Sequence, residues 1–200
     1  MSKILESLQN TVIAGVVLTV ILFIMYWGYG YSGSDFGPFF LRWLHVLSGV
    51  MWIGLLWYFN FVQIPSMPKI PDEQKPAIGK VIAPAALFWF RHAAMATIVT
   101  GLILAWMNGY LLESVLIGIR DGVPKHMAIG IGMWLGAIMW FNVWFVIWPN
   151  QKKALGMVEA DADAKKAAAR TAMLFSRTNT LLSIPMLFAM VSAQTLYRIS

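Results

Sequence analysis

Cysteine is absent from the 200-residue sequence. Its absence excludes disulfides, thiolate metal sites, iron–sulfur clusters and CxxCH haem attachment. Histidine and methionine are then the only soft ligands. Charge is scarce as well. Charged residues make up 12% of the chain, against roughly 25% in a soluble domain. Carboxylates are missing from three long intervals: Glu73 to Glu113, Asp121 to Glu159, and everything after Asp163. A carboxylate-based proton relay or cation pathway inside a bilayer is therefore not expected. Segments of about 10 residues with period-2 alternation, the mark of a barrel strand, are not seen either.

Apolar residues dominate what is present, at 59%. That composition excludes a soluble globular domain, a disordered chain and a collagen-like repeat. A membrane-crossing helix needs about 20 mostly apolar residues, and five stretches qualify: about 11–32, 38–64, 84–112, 126–149 and 172–197. The first is too long for a signal-peptide core and no small-x-small site follows it, so it reads as a retained helix. The expected fold is an all-α integral membrane bundle of five spans. No internal repeat or flexible linker divides it, so residues 1–200 read as one domain.

The net charge of +6 sets orientation; it is not a nucleic-acid signal, because the cations occupy short connections and form no stripe. Lys3, Lys69, Lys75, Lys80, Lys152, Lys153, Lys165, Lys166 and Arg170 fall on one side, and Arg42, Arg120, Lys125 and Arg198 on the other. The richer side is expected to be cytoplasmic. The N-terminus would then be cytoplasmic and the C-terminus outside, in a bacterial inner membrane. The stretch from Asp161 to Arg170 reads as a short cytoplasmic helix leading into the last span.

Ionisable side chains inside apolar spans are costly and are functional candidates. They are His45 with Arg42 in the second span, adjacent Arg91 and His92 in the third, His126 beside Lys125 at the start of the fourth, and Arg177 in the fifth. Cations and imidazoles without carboxylates require an anion from elsewhere: a lipid phosphate, haem propionates or an anionic substrate. Three histidines in a helical bundle suggest haem b with axial imidazole. From the helix rise, His45 lies about 9 Å outward of its span's midpoint, His126 about 17 Å outward and His92 about 8 Å inward. His45 and His126 are thus the better pair for one haem iron, with Arg42 and Lys125 near the propionates. Plainer readings stand beside these. His126 would be solvated at the interface, His45 and His92 hydrogen-bonded to neighbouring helices, and Arg91 and Arg177 snorkelled to headgroups. Gly132 and Gly136 form a small-residue packing pair.

Three blocks carry a family resemblance. RWLHVLSGVMWIGLLWYFNFVQIP (Arg42 to Pro65), FNVWFVIWPNQKK (Phe141 to Lys153) and SRTNTLLSIPMLFAMVS (Ser176 to Ser192) resemble the membrane domain of PuuD-type, cytochrome-c-linked urate oxidases. In the last block Arg177, Asn179, Ser183, Pro185 and Met190 keep the family's spacing. The first block is also similar to the His-containing helix of HemJ-type protoporphyrinogen oxidases and CopD-like copper proteins, with His45 at the matching position. The resemblance implies a haem-linked membrane protein that passes electrons from a substrate to a c-type cytochrome. Two departures stand out. There is no CxxCH, and Thr178 stands where the family often has His. A separate cytochrome partner would then accept the electrons.

Three functions follow as expectations. The first is a haem b redox protein, with Arg91, Arg177 and Asn179 as an anion or substrate site. The second is an accessory or assembly subunit packing in the bilayer against other membrane subunits or further copies of itself. The third, disfavoured by the missing carboxylates and cysteines, is a CopD-like transporter.

Overall fold

In lipid every backbone polar group must be paired within the chain, which favours unbroken helices. The computed structural model follows that rule. It describes residues 2–30 and 33–199, and among them no strand occurs. Five helices are long and apolar enough to cross a membrane: α1 (Leu8–Gly28), α2 (Asp35–Lys69), α3 (Lys75–Met107), α4 (Pro124–Ala154) and α5 (Ala162–Thr195). The chain falls into two units, Met1–Phe40 and Leu41–Ser200. In the first, Ser7 caps α1 by accepting from the Asn10 amide at 3.4 Å. The Phe23 ring lies 4.6 Å from that of Phe36, which ties α1 to the opening turn of α2.

The second unit packs α2 from Leu41 onward with α3, α4 and α5. Its main core joins Trp52, Leu56 and Phe59 of α2, Leu87, Phe90 and Ala94 of α3, Met139, Val143 and Ile147 of α4, and Ala172 and Met186 of α5. Phe59 meets Phe90 edge to face at 5.7 Å. The buried face of α5 carries Ala168, Ala172, Ser176, Asn179, Ser183, Met186 and Ala189. Spacings of three and four put these on one side of a helix, and their small size allows a close approach to neighbours. Large apolar side chains on the opposite faces, such as Leu181, Ile184 and Phe188, are exposed, as suits lipid contact.

The spans differ from the sequence reading at their lysine-rich ends. That reading ends or begins three spans at proline, near Pro65, Pro84 and Pro149. The helices run through all three. Each proline is preceded by a π-helical segment: Tyr58–Gln63, Ile78–Ile82 and Asn142–Ile147. In each case the residue just before the proline donates its N–H five residues back, from Ile64 to Phe59, Ala83 to Ile78 and Trp148 to Val143. A proline ring clashes with the carbonyl four residues earlier. Widening the turn moves that carbonyl aside, so the helix continues. The fifth span starts earlier than read because the stretch from Asp161 to Arg170 is continuous with it, capped by Asp161 accepting from the Ala164 amide at 2.7 Å.

Candidate functional site

His45 sits where α2 faces α3. Its Nδ1 bonds the Thr97 carbonyl at 2.9 Å, and the Thr100 hydroxyl lies 3.4 Å away. The ring occupies the space that a side chain at position 101 would need: a Cβ on Gly101 would stand 2.8 Å from the His45 Cε1. The two helices therefore hold the imidazole by one nitrogen, and among the described residues Nε2 has no hydrogen bond. Arg42, one turn earlier, donates to the Gln194 side chain of α5, and its charge reaches both His45 and Tyr110.

The connection from α3 to α4 forms the neighbouring part of this end. It contains a short helix, Leu111–Val115. The Ser114 carbonyl packs so closely on α4 that a Cβ on Gly130 would stand 2.2 Å from its oxygen. Gly118 adopts φ of +63°, a left-handed turn that glycine takes without strain. Asp121 then binds both the Val123 amide at 3.1 Å and the His126 Nδ1 at 2.5 Å. The Val123 N–H first, and His126 after it, hold the Asp121 carboxyl below its ordinary range. The His126 ring stacks on Tyr110 at 6.4 Å. Arg42, His45, Tyr110 and His126 thus belong to one end of the helices. Among the described residues no hydrogen bond or ring contact joins His45 to His126.

His92 takes a different place. It is exposed on α3, bonds the Phe88 carbonyl of its own helix at 2.8 Å, and contacts the Phe88 and Trp144 rings. Arg91 lies beside it but turns to α4, stacking 3.5 Å above the Trp148 ring. Among the described residues no hydrogen bond, ion pair or ring contact joins Arg91, Arg177 and Asn179. Arg177 is exposed on α5. Asn179, two residues on and so about 200° around the helix, is fully buried with its amide committed to α4.

That commitment belongs to a polar ladder that the sequence reading passed over. Asn142 donates to the Asn179 Oδ1 at 2.8 Å, and Asn179 donates to the Met139 carbonyl at 2.9 Å. Asn60 donates to Ser176 Oγ at 2.8 Å, and Trp57 to Ser183 Oγ at 3.0 Å. The bonds lock α5 to α2 and α4 beside two of the π-helical segments. The sequence reading took Asn179 for an anion site rather than a helix contact and did not weigh Asn60 or Asn142. Three asparagines inside apolar spans were the available signal, since an amide in lipid needs a partner.

Residues 122–198 match the family model described as Urate oxidase N-terminal. Over these residues, less than half of the chain, the match agrees with the resemblance seen in the sequence. No curated protein and no solved structure matches the chain. The urate oxidase N-terminal stretch takes in α4, α5 and the Asn142–Asn179 lock, with His126 at its start. His45, Arg42, Arg91 and His92 lie before it.

The implied haem can be tested against the donors present. A ligating histidine characteristically gives its second nitrogen to a carbonyl or carboxylate, which fixes ring orientation and tautomer. His45 does so to Thr97 and His126 to Asp121, and both leave Nε2 open. Arg42 has no carboxylate partner among the described residues and could face a propionate. The donor chemistry fits. Two surface hollows, one lined by Val115, Ile117, Arg120 and Trp134 and the other by Trp106, Leu111 and Leu112, contain no histidine.

Proposed function

We propose that this multi-pass membrane protein is a haem b redox protein of the urate oxidase N-terminal type, delivering electrons to a c-type cytochrome. The observation that carries this reading is the inter-helix anchoring of His45 through Nδ1, which leaves Nε2 free to hold a haem iron. His126, held by Asp121, would be the second donor, and Arg42 would supply positive charge for a propionate. Bound haem would supply one-electron chemistry. The protein's part is to fix the imidazoles, exclude water from between α2 and α3, and balance charge. The lysine bias supports an outer-face position for His45 and His126 in a bacterial inner membrane, where a cytochrome could collect electrons. The family likeness makes urate the first substrate to try.

The test is a visible spectrum of the purified chain with and without dithionite, together with a pyridine haemochrome assay. A reduced b-type band that disappears in His45→Ala and weakens in His126→Ala is expected. A protein that carries no haem by either assay would overturn the haem reading and leave the accessory-subunit reading. A band that survives both substitutions would overturn the ligand assignment. Reduction of the band by urate would settle the substrate.

A further inference from the structure

We infer that Arg91, Trp148 and Lys152 form a binding site for a phosphate-type anion at the lysine-rich end of α3 and α4. The guanidinium of Arg91 stacks 3.5 Å from the centre of the Trp148 ring, and the Lys152 ammonium lies 5.6 Å from the same centre. Two cations therefore share one indole and stand no more than about 9 Å apart, a spacing at which like charges repel unless a negative group intervenes. Neither cation is ion-paired with a carboxylate among the described residues. No Asp or Glu occurs between Glu73 and Glu113 or between Asp121 and Glu159, which covers the whole of α3 and α4; the acids of this end, Asp72, Glu73, Glu159, Asp161 and Asp163, stand before α3, after α4 and at the start of α5. The ion pairs among the described residues join Lys75 to Asp72, Arg120 to Glu113 and His126 to Asp121, and involve neither cation.

Arg91 is also poorly satisfied by the protein. Its Nη1 donates to the Leu87 carbonyl of its own helix at 3.2 Å, while its Nε is buried with no partner. The aromatic stack fixes the plane of the guanidinium, and such a fork suits an oxyanion. Trp148 and Lys152 stand one turn apart near the end of α4, the pairing of aromatic and cation typical of the headgroup level. Basic clefts between membrane helices on the cytoplasmic side are places where phosphodiester headgroups bind. The chemistry required is a monoanionic phosphoryl oxygen pair, bridged by Arg91 and met at its edge by Lys152. A lipid headgroup and a soluble phosphate share that chemistry.

The experiment measures thermal stability of the full chain in neutral detergent. It is titrated with mixed micelles of cardiolipin or phosphatidylglycerol, with phosphatidylcholine, and separately with inorganic phosphate. Anionic lipid should raise the midpoint by several degrees and phosphatidylcholine should not. Arg91→Gln and Lys152→Gln should each weaken the apparent affinity by roughly fivefold or more, a loss expected when one charged contact goes. Lys166→Gln, which removes an exposed lysine on α5, should change it less than twofold. If Arg91→Gln fails to fold, Lys152→Gln and its conservative partner Lys152→Arg carry the comparison, with Arg expected to restore binding. Stabilisation by lipid alone identifies a headgroup site, and equal stabilisation by inorganic phosphate identifies a soluble-anion site. No anionic stabilisation, or equal weakening by Lys166→Gln and Lys152→Gln, would overturn the site.

Discussion

Asn142 donates its side-chain amide to Asn179 across the α4–α5 contact at 2.8 Å, and both residues are buried. Hydrogen bonds between membrane helices are worth about 0.6 kcal/mol on average and up to ~2. Removing one partner also orphans the other. Asn179→Leu loses the bond from Asn142 and the one to the Met139 carbonyl, and is expected to cost about 1–3 kcal/mol. Asn142→Leu should cost less, because Asn179 keeps Met139. The double variant should be less damaging than the two single losses combined. Thermal or denaturant unfolding in detergent, run as a double-mutant cycle, checks this. Additive losses would mean the amides do not interact.

Gly130, rather than Gly132 or Gly136, makes the tightest backbone approach on α4. A Cβ there meets the Ser114 carbonyl oxygen at 2.2 Å, whereas Gly132 meets only the flexible Met190 side chain and Gly136 has nothing within 4 Å. Gly130→Ala should therefore push the Leu111–Val115 helix off α4 and destabilise the chain by about 1–3 kcal/mol. Gly136→Ala should be neutral or gain up to about 1 kcal/mol from helix propensity. Melting curves of the two variants side by side decide the ranking.

The five spans were legible because lipid imposes length and apolarity on every crossing helix, and nothing else in the chain mimics that signal. Their lysine-side ends were not. Pro65, Pro84 and Pro149 are ordinary stop signals, and only the hydrogen bonds of the preceding turn reveal that each helix continues as a π segment. His45 was legible as an imidazole in an apolar span. Its anchor was not, because Thr97 and Gly101 lie more than fifty residues away and contribute a backbone carbonyl and an empty volume. The pairing of Arg91 with Trp148 was hidden for a related reason. A flexible cation reaches an aromatic ring on whichever neighbouring helix offers one, and the sequence does not say which.

The Asp121 turn predicts an acid-side response. Its carboxyl is held below its ordinary value by the Val123 amide first and by His126 after it. A carboxylate with a lowered folded value adds stability at pH above about 3.9, its unfolded value. That contribution fades as pH falls through the lowered folded value. Wild type should thus be more stable than Asp121→Asn at neutral pH, and the difference should shrink only below about pH 4. Melting temperatures of both proteins between pH 3 and pH 7 test the direction. A gap that widens toward acid would contradict it.

Gly101 and His45 share one volume, and this gives a prediction that does not depend on haem. Adding a methyl at position 101 puts a carbon 2.8 Å from the imidazole Cε1 and 3.0 Å from Nδ1. The ring must shift, which strains its bond to the Thr97 carbonyl. Gly101→Ala should therefore destabilise the otherwise wild-type chain by about 1–3 kcal/mol. In a His45→Ala background the same volume is empty. There Gly101→Ala should be neutral or stabilising by up to about 1 kcal/mol, the ordinary helix preference of alanine over glycine. Gly49→Ala, on the same helix as His45 but with nothing within 4 Å, should behave alike in both backgrounds. Any haem band should follow the same logic, falling in Gly101→Ala as it does in His45→Ala and persisting in Gly49→Ala. Equal effects of Gly101→Ala with and without His45 would show that the ring does not occupy this notch, and the anchoring of the proposed ligand would fall with it.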